Sequence, residues 1–199
     1  MARPKSYNRD DALIRACEVF WSRGYSGSGV RCIEEKTGLN QFAIQTEFGG
    51  KEGLYLEVIK LYANAAFASA LQPIKTGGIA SISTFFTGLV ADKSPTSSEW
   101  GCLIVNAGIE NAIIGNSKVE AECRAYWRTL QKCFTSALEL SLKNKEINPS
   151  MSLKEYSKAL VIAVMGIHTM NRAERSNKAG ASMVKMVKQQ IQNWSLVNE

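Results

Sequence analysis

The sequence has no apolar run that approaches the ~18 residues a helix needs to cross a bilayer. Its first five residues include Arg3 and Lys5, but no hydrophobic stretch follows them, so we do not expect them to begin a signal peptide. We therefore expect a cytoplasmic protein without a membrane partner. The hydrophobic content of 45% is nevertheless normal for a globular protein, so a sizeable core is expected and disorder is not.

Metal-binding and catalytic motifs are also missing. The five cysteines form an odd set without C-x-x-C spacing, so we expect reduced, packed thiols rather than a disulfide framework or a zinc site. His168 is the only histidine and cannot complete a metal cluster with such scattered thiols. There is no glycine-rich phosphate loop, no nucleophile elbow and no paired catalytic carboxylate. The sequence therefore predicts a protein that is not an enzyme and needs no cofactor or metal.

What the sequence does contain is a helical period, with apolar residues recurring at three- and four-residue steps and no convincing strand alternation. This pattern predicts an all-α fold of about nine helices. A three-helix domain is expected over residues 1–50 and a larger helical domain over residues 51–199. The predicted helices cover approximately residues 9–23, 30–37, 41–48, 51–72, 79–92, 100–115 (as one or two short helices), 117–143, 153–173 and 182–194.

The most informative unit is the stretch from Val30 to Phe48. It consists of two short helical segments separated by Gly38-Leu39-Asn40, where Gly38 suits a left-handed cap and Asn40 suits a helix N-cap. A short turn containing glycine between two such helices is the helix-turn-helix geometry, whose second helix enters the major groove of DNA. The spacing alone leaves open a second interpretation, in which the three small helices form only a corner of a bundle.

The composition of the third helix favours DNA binding. With Ile44 and Phe48 assigned to the core, its outer side is predicted to carry few charges. Glutamine matches the donor and acceptor pattern of an adenine edge, while alanine, phenylalanine and threonine can contact a thymine methyl group. Glu47 is an objection, because it must either point away from DNA or accept from a cytosine amine. The predicted base-contacting residues are Gln41, Phe42, Ala43, Gln45 and Thr46.

Phosphate contacts are predicted on both sides of this helix. Ser28 and the Gly29 amide lie at the start of the second helix, where free N–H groups favour an anion. Lys51 opens the fourth helix, and Arg3 and Lys5 could follow the DNA as a basic arm. The overall charge of +6 permits a polyanionic partner, but residues 1–60 hold nine Lys or Arg and eight Asp or Glu. The local arrangement, rather than net charge, therefore supports double-stranded DNA as the partner.

These residues resemble the tetracycline-repressor (TetR) family of bacterial regulators over positions 9–60. The resemblance implies a symmetric homodimer that represses transcription at a pseudo-palindromic operator and is released by a small-molecule inducer. Two positions depart from the family pattern, since its aromatic phosphate contact falls on Gln45 and its usual small residue or proline is Phe42. The resemblance rests on the helix and turn from Ala12 to Tyr25 and on the later residues Gly38-Leu39-Asn40, Phe48, Lys51, Glu52 and Leu54.

The segment from Gly101 to Ala107 is similar to one branch of the family's sensing domains. The C-terminal helices are rich in large apolar residues, which either form a ligand pocket with a few polar groups or simply pack as core. On the pocket interpretation, the predicted ligand-binding residues are Tyr62, Phe67, Trp100, Cys102, Asn106, Glu110, Trp127, Phe134 and His168.

Two further expectations concern regulation and assembly. If a helix begins near Gly101, its N–H groups could lower the pKa of Cys102 and make it a sensor of oxidants or electrophiles, with Cys123 or Cys133 as resolving partner. That switch, or control by a protein partner, is the alternative to a reversible ligand. The last two helices carry apolar stripes that either pack within the chain or form a four-helix dimer bundle. Those stripes are Tyr156, Leu160, Ala163, Val164 and Ile167, then Met183, Val187, Ile191 and Trp194.

Overall fold

The computed structural model describes residues 7–148, 150 and 152–196, and within them the all-α fold is confirmed. If the continuous stretch from α4 through a π-helical segment to α5 counts as one, the described residues form nine helices, as expected. They contain no β-strand, only an isolated bridge between Ile147 and Ser195. The helices are α1 (Arg9–Arg23), α2 (Val30–Thr37), α3 (Gln41–Phe48), α4 (Lys51–Ala66), the π segment (Phe67–Leu71), α5 (Gln72–Thr76), α6 (Gly78–Gly88), α7 (Leu103–Ile114), α8 (Ser117–Lys143), α9 (Leu153–Glu174) and α10 (Ala181–Trp194).

The turn between α2 and α3 is fixed by local caps, as the sequence predicts. Gly38 adopts φ 74°, a left-handed conformation that strains any residue with a Cβ, and its N–H donates to the Glu34 carbonyl. The Asn40 side chain accepts from the amide of Ala43 at 2.8 Å. The Glu34 carboxylate also accepts from the Gln41 amide at 2.6 Å, so α2 supplies a second cap to α3. These bonds set the angle at which α3 leaves the turn.

Two helix ends differ from the sequence expectation. The fourth helix does not stop before Pro73, because the π segment resets the register and places Pro73 in the first turn of α5. In a first turn the missing N–H of proline leaves no hydrogen bond unmade. The sixth helix ends at Gly88 rather than near Asp92, and a series of turns follows it.

Two apolar cores organise the chain. One lies wholly in the C-terminal part, between α5, α6, α8, α9 and α10. The other is shared, because Phe20 of α1, Ile33 of α2 and Leu54 of α4 pack in one cluster with Leu103 and Ile104 of α7. Of the first three helices, α1 packs directly against α7. The helix α4 contacts α1 and α3 on one side and α7 and α8 on the other, so it links the N-terminal helices to the C-terminal ones.

Candidate DNA interface and ligand cavity

One side of α3 is exposed and carries no charge. Ile44 and Phe48 are buried beneath it, as predicted. Phe42 is 76% exposed, which makes it one of the two most exposed large apolar side chains in the described part of the chain. We name this surface the reading face and define it as Gln41, Phe42, Gln45 and Thr46, all of them exposed.

Ala43 does not belong to the reading face. It is only 7% exposed and lies in the shared core, so the prediction of an outward-facing Ala43 is wrong. The reason is that α3 buries both neighbours Ala43 and Ile44 against the helices beneath it, a wider buried side than the four-residue spacing of Ile44 and Phe48 indicates.

Glu47 points away from the reading face. Its carboxylate accepts from the Tyr7 hydroxyl at 2.8 Å and lies 3.8 Å from the Arg9 guanidinium. Arg9 also pairs with Glu57 at 2.8 Å and lies over the Phe48 ring. The carboxylate is thus used to join α1 to α3, which removes the objection that it would repel a phosphate.

The predicted phosphate contacts are only partly available. Ser28 is fully buried and its hydroxyl donates to the Gly24 carbonyl, so the prediction of its side chain as an anion contact is wrong for this structure. Gly29 is exposed at the N-cap of α2. The Lys51 ammonium lies 4.2 Å from the centre of the Tyr25 ring, and partial burial lowers its pKa. Arg3 and Lys5 lie outside the described residues.

Glu110 of α7 holds the turn after α1. Its two carboxylate oxygens accept from the amides of Tyr25 and Ser26, each at 2.7 Å. Burial acts to raise the pKa of Glu110, but these amide hydrogen bonds and the charge of Lys51 together bring it below the ordinary value. Glu110 is a predicted ligand residue, but it faces the turn after α1 instead, because that turn presents two amides that need an acceptor.

Arg172 of α9 holds the end of the same helix, a contact that sequence analysis missed. Its guanidinium donates to the carbonyls of Trp21 at 2.8 Å, Trp100 at 3.3 Å and Ser22 at 3.4 Å. A cation on terminal carbonyls is favourable at a helix C-terminus. In the sequence, the only indication of this contact is that Arg172 is the sole charged residue between positions 159 and 173. We name Glu110 and Arg172 the α1 clamp.

A cavity of about 250 Å³ lies among α4, α6, α7, α8 and α9, and we call it the apolar cavity. Four of the nine predicted ligand residues line it: Tyr62, Cys102, Trp127 and His168. None of the lining side chains in the described part of the chain is charged. The sequence analysis did not assign to a ligand site several other lining residues, among them Trp21, Phe85, Tyr126, Val164 and Met165.

The remaining predicted ligand residues do not line this cavity. Phe134 is buried in the C-terminal core against Phe85 and Phe86, and Phe67 is partly exposed on the π segment. Trp100 packs edge-on against Trp21, and the Asn106 amide donates to the Trp100 carbonyl at 2.9 Å. Phe134, Trp100 and Asn106 serve packing and loop closure, which helical periodicity cannot distinguish from contact with a ligand.

Two polar atoms of cavity-lining residues are buried without a hydrogen-bond partner: Nε1 of Trp127 and Nδ1 of His168. His168 is 5% exposed, and its burial lowers its pKa to about 4, so the imidazole is neutral at pH 7. Buried polar groups in native proteins are rarely left unpaired. Both atoms are enclosed by the protein and are not open to the cavity.

Cys102 is the N-cap residue of α7, with the helix beginning at Leu103. Its burial raises the pKa of the thiol, and this outweighs the opposing effects of the Tyr62 hydroxyl and of the Val105 and Ile104 amides. The expectation of a lowered pKa is therefore wrong, because the site is too deeply buried. Burial likewise raises the pKa of Cys123, to about 12.

No helix in the described part of the chain is both long and apolar enough to span a membrane. A search of the same residues finds no cluster of three or more histidine, cysteine or acidic side chains that could hold a metal ion.

Comparisons with known proteins agree with this architecture. The transcriptional repressor ComR of Escherichia coli is 27% identical over 107 residues, which cover 52% of this chain and 51% of ComR. The chain thus spans about half the length of this curated relative. A TetR-family regulator from Cytophaga hutchinsonii superposes with TM-score 0.81 at 15% identity, covering 96% of both chains. A cysteine mutant of the TetR-family regulator CifR, in complex with 26-base-pair operator DNA, superposes with TM-score 0.77 at 18% identity, covering 97% of this chain and all of CifR.

The family model for bacterial regulatory proteins of the tetR family matches residues 13–58, which run from α1 through α3 into α4. This is the part of the chain that carries the reading face and the Gly38 turn. The curated relatives found are transcriptional regulators, and none is described as an enzyme. The chain therefore carries the N-terminal domain of the tetR family of bacterial regulatory proteins, and its described residues share the fold of solved TetR-family regulators.

Proposed function

We propose that the protein is a transcriptional repressor that binds a pseudo-palindromic operator as a homodimer and leaves it when a small molecule fills the apolar cavity. The observation that carries the DNA-binding part is the reading face itself. An exposed, uncharged helix side with Phe42 at its centre is poorly suited to water and well suited to the edges of base pairs.

Each residue of the reading face has a role in this proposal. The side-chain amides of Gln41 and Gln45 offer a donor and an acceptor to an adenine edge. Phe42 and the Thr46 methyl group contact thymine methyls. The Thr46 hydroxyl already donates to the Phe42 carbonyl at 2.9 Å, which fixes the rotamer that presents the methyl group.

Backbone contacts orient α3 in the groove. The N-terminus of α2 at Gly29 is open to solvent and offers amide N–H groups to a phosphate. Lys51 contributes charge on the other side of α3, with its ammonium group held over the Tyr25 ring. We assign no phosphate contact to the Ser28 side chain, because its hydroxyl is already used inside the turn.

The dimer surface is proposed on the outer side of α9 and α10. The apolar stripes singled out in the sequence are used within the chain, since Leu160, Val164 and Ile191 are buried. A second stripe on α9 remains exposed and places Ile162, Gly166 and Met170 one turn apart on one side. Met186 of α10 is also exposed. Two such helix pairs related by a two-fold axis would form a four-helix bundle.

Release of DNA follows from where the cavity and the clamp meet. His168 lines the cavity and lies one helical turn before Arg172 on α9. Cys102 lines the cavity at the start of α7, the helix that carries Glu110. A ligand that moves either helix therefore acts on the contacts that hold α1. In such dimers the two copies of α3 lie about 34–36 Å apart. A change in this distance disfavours binding at both half-sites together.

A switch based on oxidation of Cys102 is less well supported. Burial raises the pKa of its thiol, so little of the reactive thiolate is present near neutral pH. One comparison distinguishes the two mechanisms. If peroxide abolishes operator binding by the parent protein but not by Cys102→Ser, the thiol is the switch. Reversible release by a small molecule that Cys102→Ser leaves intact would favour the cavity.

The DNA-binding part is tested by selecting duplexes from a random library with the purified protein and measuring affinity by fluorescence anisotropy. Replacing Gln41 or Gln45 by alanine should weaken discrimination at one base pair of each half-site by about 1–3 kcal/mol. Lys51→Ala should weaken binding to all sequences alike. It should also reduce the slope of the logarithm of the binding constant against the logarithm of salt concentration by about one. Gln72→Ala, the same change at an exposed position at the start of α5 and away from the proposed dimer surface, should alter neither. A protein that retains no duplex above the library background at low salt would not fit this proposal.

A further inference from the structure

We propose that Phe42 recognises the C5-methyl group of a pyrimidine in the major groove, so that thymine and 5-methylcytosine are both accepted at one position of each half-site. This rests on the proposed function, since it names the chemical group that the reading face selects. It also extends that function, because methylation of a cytosine at this position strengthens binding of the protein to DNA.

Phe42 occupies the part of α3 that comes closest to base edges in helix-turn-helix complexes. It is the second residue of α3, and the N-terminal residues of a recognition helix contact the bases. Its side chain is 76% exposed, whereas Ala43 and Ile44 beside it are buried and fix which side of the helix faces outward. The Phe42 ring is therefore placed to meet a base pair when α3 enters the groove.

A phenylalanine ring distinguishes base pairs by their apolar groups alone. It has no polar atom, so it cannot match the donor and acceptor pattern of a base edge. Among the four unmodified bases, only thymine presents a methyl group to the major groove. Removing that methyl group from water against the ring is favourable, as for any apolar group. Phe42 therefore favours thymine because of its methyl group, and not because of the hydrogen-bonding edge of the pair.

Thr46 supports this apolar contact. It lies four residues after Phe42, so the two side chains are neighbours on the same side of α3. Its hydroxyl donates to the Phe42 carbonyl at 2.9 Å and lies 3.4 Å from the Ala43 carbonyl. The hydroxyl proton is thus used within the helix and is not offered to a base. The Thr46 methyl group extends the apolar surface that begins at the Phe42 ring.

5-Methylcytosine presents the same methyl group as thymine, since both bases carry it on ring carbon C5 and expose it in the major groove. The methylated C·G pair differs from T·A in its donor and acceptor groups, which Phe42 cannot detect. The reading face has no arginine or lysine that would select the guanine of a C·G pair. Affinity at this position therefore follows the methyl group and not the base pair.

Four versions of the selected duplex test this proposal on the full chain. Each thymine of the half-site is first replaced symmetrically by deoxyuridine, which removes only the methyl group, to find the position that Phe42 contacts. That position is then made T·A, U·A, methylated C·G or C·G in both half-sites, and affinity is measured by fluorescence anisotropy. We expect loss of the methyl group to weaken binding about fourfold per half-site, or about fifteenfold for the duplex. Both methylated duplexes should bind more tightly than both unmethylated ones.

Two phenylalanine variants assign the effect to the proposed side chain. Phe42→Ala removes the ring and should abolish the difference between T·A and U·A and that between methylated and unmethylated C·G. Because Phe42 is exposed, its truncation should not lower the melting temperature. Phe67→Ala is the matched control, since Phe67 is also exposed but lies on the π segment, away from α3. It should keep both differences in full.

Methyl recognition is overturned if no thymine of the half-site is sensitive to uracil, if Phe42→Ala keeps that sensitivity, or if methylated C·G binds no better than C·G. Failure of the proposed function has a different signature, namely the absence of sequence-selective binding to any duplex. A protein that binds its selected duplex equally well with thymine and with uracil would therefore refute methyl recognition and leave the DNA-binding proposal standing.

Discussion

His168 shows how a single buried side chain can determine a property of the whole fold. It is the only histidine in the sequence, it lines the apolar cavity, and its burial lowers its pKa to about 4. In the unfolded chain a histidine titrates near the ordinary pKa of about 6.5. Between these two values the unfolded chain binds a proton that the folded protein does not, so stability is complete above the unfolded pKa and declines as the pH falls.

We therefore predict that the free energy of unfolding falls by up to about 3 kcal/mol between pH 6.5 and pH 4 because of His168. Urea titrations at closely spaced pH values measure the slope. His168→Leu should remove most of it between pH 5.5 and 6.5, a range in which few carboxylates titrate. An unchanged slope in this variant would show that the imidazole is not buried in the neutral form.

The roles of some single residues could be predicted from the sequence, and those of others could not. Gly38 and Asn40 could be identified as caps because their roles depend on neighbours within a few positions. Ala43 could not be placed, since a small apolar residue beside Ile44 suits either side of a helix. Glu110 and Phe134 were assigned to the ligand because periodicity reveals that a residue faces inward but not what it meets there.

At the scale of helices, the bounds of α1, α3 and α8 follow from capping residues and the helical period. The contacts between α9 and α1 do not, because Arg172 and the carbonyls it reaches are about 150 residues apart in the sequence. Such long-range contacts depend on how the helices pack. The α1 clamp is therefore visible only in the folded chain, where it joins α7 and α9 to the end of α1 and the turn after it.

Arg172→Gln should loosen the junction between α9 and α1. The substitution removes a guanidinium that serves three carbonyls, and hydrogen bonds to a charged group contribute about 1.5–3 kcal/mol, so we expect a loss of stability of about 2 kcal/mol. Hydrogen exchange followed by mass spectrometry should show faster exchange at the end of α1 and in the turn that follows. Arg128→Gln, on an exposed position of α8, provides the control for the loss of one charge.

Equal exchange rates in Arg172→Gln and the parent would mean that packing alone holds the junction. An intermediate result for Arg172→Lys would support the geometric argument, because an ammonium group cannot reach the three carbonyls in the planar arrangement of a guanidinium.

At the scale of the whole molecule, a single α3 helix contacts too few base pairs to select one operator, so the proposed function depends on a dimer. The unpaired apolar stripe on α9 is the surface best placed to form it. Ile162 is 60% exposed, and Gly166 beside it has open space where a Cβ would stand. Small residues let two helices approach closely, so this stripe is suited to a helix that packs along it.

Ile162→Asp should therefore separate the protein into monomers, because a dimer would have to bury a carboxylate at its centre without a partner. Sedimentation velocity measures the change in mass, and anisotropy with the selected duplex should show a loss of affinity of at least about a hundredfold as the two half-sites are uncoupled.

Ile113→Asp is the matched control, since Ile113 is 92% exposed on α7, away from the proposed surface. It should remain dimeric and bind DNA like the parent. If instead Ile113→Asp dissociates the dimer and Ile162→Asp does not, the two-fold axis passes through α7, and the route from cavity to clamp would have to cross the subunit boundary.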